Sequence, residues 1–104
     1  MNTAKEYIMC SAIWFGDGQV HEHQPKNMEN GFVVTGRRHH NCIMTAAILS
    51  GDQHKTFRSY PNIQGFLTSR DRFLDRTQAC EFAIKTGQIK KSEVSGKLYS
   101  EDLW

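Results

Sequence analysis

Residues Ile63–Gly87 read IQGFLTSRDRFLDRTQACEFAIKTG, and this stretch decides the fold. Ile63–Thr68 is apolar and rich in strand formers, Ser69-Arg70-Asp71 is turn chemistry, and Arg72-Phe73-Leu74 is a short return strand. Together they predict an antiparallel hairpin. Asp75 then opens a helix, because Asp75-x-x-Gln78 is a capping-box variant that satisfies free amides at a helix start. Ala79, Phe82, Ala83 and Thr86 follow at helical spacing, and Gly87 supplies the left-handed residue that ends a helix.

The same strand-then-helix order stands upstream. Phe32-Val33-Val34-Thr35, between Gly31 and Gly36, reads as a strand, and Arg38–Ser50 has helical rhythm. Ile43, Ala47 and Leu49, with Met44 and Ile48 nearby, make the expected apolar face, and Gly51 stands at the expected helix end. Asp52–Asn62 reads as a polar loop closing at Pro61. Glu6–Phe15 (EYIMCSAIWF) predicts a central strand ending at Gly16-Asp17-Gly18. Gln19–Asn30 reads as a short edge strand plus loop. The tail from Lys90 is polar until Leu98-Tyr99 and Leu103-Trp104, so Trp104 is expected to dock on the body or on a neighbouring subunit. The expected fold class is α+β: a small, mainly antiparallel sheet with two helices packed on it, in one domain over residues 1–104.

A chain of 104 residues with 38% hydrophobic content builds a modest core, so oligomerisation is expected as a way to bury more surface. The formal net charge of +2 argues against a protein that coats bulk nucleic acid. Three separated cysteines do not form a disulfide framework, which suits a reducing cytosol. Neither a leader nor an apolar run of membrane-spanning length is recognised, and no membrane partner is expected.

Arginines crowd both helix starts: Arg37 and Arg38 at the first, and Arg76 at the second, with Arg70 and Arg72 on the hairpin before it. A helix N-terminus carries partial positive charge and favours acids by about 0.3–1 kcal/mol each, so this placement costs stability unless an anion arrives. With an anion present, backbone amides and guanidinium forks converge on it, and Gly36 lets the backbone come close. The competing reading pairs each arginine with a surface carboxylate such as Asp71, Asp75 or Glu101.

His39, His40 and Cys42 cluster at the first helix start, with His21 and His23 elsewhere. Four such ligands would suit zinc, but no standard metal-ligand spacing is present, and no metal or cofactor is expected. A nucleophilic Cys–His pair would need an exposed thiol, whereas Cys10 and Cys42 lie in apolar stretches. His39, His40 and Asn41 are better suited to recognition, since an amide can read an adenine-like edge and an imidazole can stack or donate to phosphate. Trp14, Phe15, Phe66 and Phe73 are the aromatic residues able to sandwich a base, with core packing the alternative fate of each.

Phe32–Cys42 (FVVTGRRHHNC), Gly65–Arg76 (GFLTSRDRFLDR), Ala83–Ile89 (AIKTGQI) and Ser100–Trp104 (SEDLW) resemble a family of small phage and prophage proteins, the Thoeris anti-defence protein one family. The resemblance runs from Tyr7 onward. It implies a sponge acting in the cytoplasm of the infected bacterial host, one that sequesters a cyclic ADP-ribose-type immune signal without degrading it. It also implies binding of cyclic oligonucleotides at separate sites, and a homo-oligomer in which dimers build a hexamer. Carried onto this chain, the candidate ligand contacts are Arg37, Arg38, His39, His40 and Asn41, with Phe66, Arg70, Arg72, Phe73 and Arg76. The chain is short, which puts in doubt any contact that a longer loop supplies in relatives. The alternatives are a small nucleotide-acting hydrolase or transferase using His39 or His40, and a nucleic-acid or protein interaction module.

Overall fold

The computed structural model describes residues 5–50 and 60–104. Four strands and two principal helices follow in the order β1 (Ile8–Phe15), β2 (Phe32–Gly36), α1 (His39–Ser50), β3 (Asn62–Thr68), β4 (Phe73–Asp75) and α2 (Arg76–Thr86). A 3-10 turn over Lys91–Glu93 and a one-turn helix, α3 (Ser100–Leu103), complete the tail. The sheet has order β2-β1-β3-β4 with every pair antiparallel, so the α+β reading holds and β1 is central. The expected edge strand within Gln19–Asn30 does not form. That segment instead turns repeatedly, with His23 in the left-handed region, and its side chains bond strand edges: Gln24 accepts from the Val33 amide and Asn27 pairs with both main-chain groups of Phe73.

Residues paired directly across an antiparallel sheet share a face. The row Gly36–Ser11–Phe66–Leu74 and the pair Val34–Ile13 therefore point the same way, toward both helices. Cys42 and Ala46 of α1 pack on Ile13, Phe15 and Val34, while Ala79, Cys80 and Ala83 of α2 pack with Ile8, Phe66 and Leu74. Trp14 points to the other face, where its indole N–H donates to the Asn30 carbonyl at 2.8 Å.

Helix α1 differs from expectation. The residues that pack are Cys42 and Ala46, at i and i+4, whereas Ile43, Met44, Ile48 and Leu49 are 51–75% exposed. The periodicity was legible, but α1 is apolar nearly all round, so periodicity alone did not say which side meets the sheet. The expected helix-end glycine, Gly51, and the loop over 52–59 lie outside the described residues. Helix α2 forms as its caps require: Asp75 accepts from the Gln78 amide at 2.8 Å, Gln78 accepts from the Asp75 amide at 3.0 Å, and Gly87 takes φ +81°.

The register sets where the helices begin. Strand β2 ends at Gly36, opposite Ser11, and β4 ends at Asp75, whose row runs through Gly65 to Ala12. These are adjacent rows, and β2 and β4 run in opposite directions. Each helix folds back along its own strand, so α1 and α2 start face to face over the middle of the sheet and run apart.

Candidate functional site

Gly36 delivers the chain into α1 so tightly that a Cβ there would lie 2.9 Å from the Asn41 Cβ and 3.0 Å from the Cys42 nitrogen. Arg37 and Arg38 follow as bends, and α1 begins at His39 with no acidic residue in its first turn. Asn41 turns back so that its side-chain oxygen accepts from the Arg38 amide at 3.1 Å. The cap that local sequence lacks comes from the tail: the Ser100 hydroxyl accepts from the His39 amide at 3.4 Å.

His39 is 6% exposed and ties the α1 start to β3. Its Nε2–H donates to the Gly65 carbonyl at 2.8 Å, and its ring meets the edge of Phe66 at 5.1 Å. Burial pushes the imidazole below its ordinary pKa, helped by the nearby Arg76 charge and opposed by the Gly65 bond and by Glu101. The neutral ring leaves Nδ1 a buried acceptor with no partner among the described residues.

Arg76 is the first residue of α2. Its guanidinium lies over the Tyr99 ring, 4.6 Å from the centroid, and its buried Nε–H has no partner among the described residues. Its carbonyl accepts from the Leu98 amide at 3.0 Å, which pins the tail across the gap. Arg38 donates from Nη2 to the main-chain oxygen of Trp104. Among the described residues, Arg37 and Arg76 make no ion pair with a carboxylate. Arg37, Arg38, His40 and Asn41 line an open concavity of about 590 Å³ beside this gap.

The expected site residues therefore divide. Arg38, His39 and Arg76 come together over the sheet, with Arg37, His40 and Asn41 on their flank. Phe66 lies directly beneath, fully buried between His39 and Trp104, and presents no face to a base. Phe73 is a buried residue whose main chain is clasped by Asn27. Arg72 faces away and grips Glu6 through two bonds of 2.7 and 2.9 Å, with its guanidinium 5.6 Å from the Phe82 ring centroid. Arg70 is exposed in the hairpin turn, and its charge helps hold the Glu6 carboxyl down. The hairpin arginines and the helix-start arginines thus form two separate groups.

Sequence reasoning missed Tyr99 and Ser100 as members of the site. The available signal was two aromatic residues, Tyr99 and Trp104, flanking Ser-Glu-Asp on a polar tail; the Trp104 docking that it suggested does occur, against Phe66 at 6.1 Å. As for reactive groups, burial pushes the Cys42 thiol up to about 11 and raises that of Cys10, so both stay protonated near neutrality. His21 bonds Asp17 at 2.7 Å, and no group of three potential metal ligands comes together among the described residues. No helix among them is long and apolar enough to cross a membrane.

The family model described as Phage T4 y16D protein matches residues 7–104. No curated protein and no solved structure matches the chain significantly. The chain belongs to the Phage T4 y16D protein family.

Proposed function

We propose that this member of a phage protein family binds an anionic nucleotide signal of the cyclic ADP-ribose type and holds it unchanged, as an anti-defence sponge. One observation carries the reading: two helix starts face each other with Arg76 and neighbouring Arg37 unpaired by carboxylates among the described residues. Helix dipoles and guanidinium groups of one sign, crowded together, are relieved by a diphosphate. Charge-assisted hydrogen bonds contribute about 1.5–3 kcal/mol each, so a few of them plus stacking reach roughly nanomolar affinity. A sponge needs that strength to outcompete an effector in the host cytoplasm. The exposed apolar stripe on α1, Ile43, Met44, Ile48 and Leu49, supports assembly into dimers and then hexamers. A cyclic oligonucleotide at a separate site belongs to the same proposal.

His40 is exposed on the concavity and favours the competing reading of a nucleotide-acting enzyme. One experiment separates the two. The protein is incubated with lysate containing a TIR-derived cyclic ADP-ribose signal, retained on a filter and heat-denatured. Release of intact, active signal is the expected result. Conversion to products would replace the sponge with an enzyme, and signal passing through the filter would rule out this ligand.

A further inference from the structure

The tail does more than fill the core. Among the described residues its contacts to the helix starts include the Tyr99 ring against Arg76 and the Ser100 hydroxyl at the His39 amide. Both groups are uncharged. They orient one guanidinium group and one helix start while cancelling none of the charge. The hairpin shows the contrast, because there a carboxylate takes Arg72 through both of its oxygens. An arginine held by a neutral partner keeps its charge for a ligand, and an arginine held by Glu6 does not.

A removable plug is the other role such contacts suggest, and magnitudes decide against it. Leu98 and Ser100 are 0% and 3% exposed, and Leu103 and Trp104 pack on the α2 core. Burying one leucine contributes as much as a single charge-assisted bond to a ligand returns. Displacing the whole tail would cost more than one freed arginine gains.

We propose that Tyr99 is a positioning residue of the anion site, orienting Arg76 toward a diphosphate-bearing ligand while leaving its charge uncompensated. The inference rests on the anion-binding reading above. Tyr99 offers a clean test, since it is 39% exposed and can be changed with little effect on the core. ADP-ribose and inorganic pyrophosphate serve as probes in calorimetric titrations of the wild-type protein, Tyr99→Phe and Tyr99→Leu, alongside melting temperatures and the Nε–H NMR signal of Arg76. A cation–π contact worth about 1 kcal/mol predicts roughly fivefold weaker binding for Tyr99→Leu. Tyr99→Phe keeps the ring and is expected to retain wild-type affinity, with all three proteins melting alike and the Arg76 signal displaced only in Tyr99→Leu. Wild-type affinity in Tyr99→Leu would overturn the positioning role, as would an equal loss in both variants accompanied by a lower melting temperature. If the wild-type protein binds neither probe, the anion-binding reading itself falls and the role of Tyr99 at a ligand site falls with it. A Tyr99-dependent Arg76 signal would then identify the reading, not the geometry, as the point of failure.

Discussion

Arg72 and Arg76 stand one helical turn apart in sequence and in opposite electrostatic circumstances. Arg72 closes on Glu6 with two short bonds, and Thr68 donates to the same carboxylate at 2.6 Å. Arg76 rests on an aromatic ring with its Nε buried and unmatched among the described residues. The first arrangement is complete in itself, and the second leaves charge and hydrogen-bonding capacity unused. Arginines close together in sequence are therefore not one class: the partner decides whether the charge is spent on the fold or kept for something else.

The largest expected effect comes from removing the helix-start charges. Arg38→Ala combined with Arg76→Ala deletes two charge-assisted contacts of about 1.5–3 kcal/mol each and should weaken binding of the proposed nucleotide by about 100-fold or more. Calorimetry measures the loss, and circular dichroism should show an intact fold. A double variant that binds normally would break the comparison, since the helix-start arginines would then be as structural as Arg72.

A second approach disturbs the junction and leaves every charge in place. Gly65 lies between the helix starts, its carbonyl holding His39, and a Cβ there would run into the Leu74 carbonyl oxygen. Gly65→Ala should cost about 1–3 kcal/mol by overpacking, read as a lower denaturant midpoint. Binding should fall as well, because His39 and α1 shift relative to Arg76.

The hairpin gives the complementary result. Arg72→Ala should lower stability by up to about 1 kcal/mol, the range for a partly exposed ion pair, and leave nucleotide binding unchanged. Arg72 and Thr68 hold the Glu6 carboxyl below the ordinary carboxylate range against desolvation. A depressed carboxyl stabilises the fold above its unfolded pKa and loses that contribution as pH falls through the folded value. The wild-type protein should therefore lose this increment as pH falls below about 4.5, and Arg72→Ala should lack the share of it that Arg72 supplies.

Much of this was legible in the chain, for reasons that differ by element. Asp75, Gln78 and Gly87 announced α2 because caps are local: each side chain satisfies a backbone group within a turn of itself. The α+β class followed from strand-then-helix repetition. The packed side of α1 was not legible, since Cys42 and Ala46 compete with bulkier Ile43, Met44, Ile48 and Leu49, and register alone chooses between them. The arginines at the helix starts could be read, but not their division into two groups, because Glu6 lies 66 residues from Arg72 in sequence. The tail was the hardest part, because Tyr99, Ser100 and Trp104 act on residues 23 to 66 positions away. Long-range contacts of this kind depend on the completed sheet, which brings Gly36 and Asp75 into neighbouring rows.

The smallest expected effect tests His39, the buried residue at the α1 start. Burial holds the His39 imidazole below its ordinary value of 6.5. Between the folded and unfolded pKa values the unfolded chain binds more protons, so stability rises with pH across that window. His39 therefore leaves the fold undisturbed above pH 6.5 and destabilises it progressively as pH falls below that value. His39→Gln keeps a donor for the Gly65 carbonyl and cannot titrate. Denaturant unfolding at pH 7.5 and pH 5.5 should show the wild-type protein losing more stability on acidification than His39→Gln. Equal losses would mean that the His39 ring reaches water or a counter-charge when it takes a proton. The junction between the helix starts would then be open, and the contrast with the closed Glu6–Arg72 pair would rest on arginine partners alone.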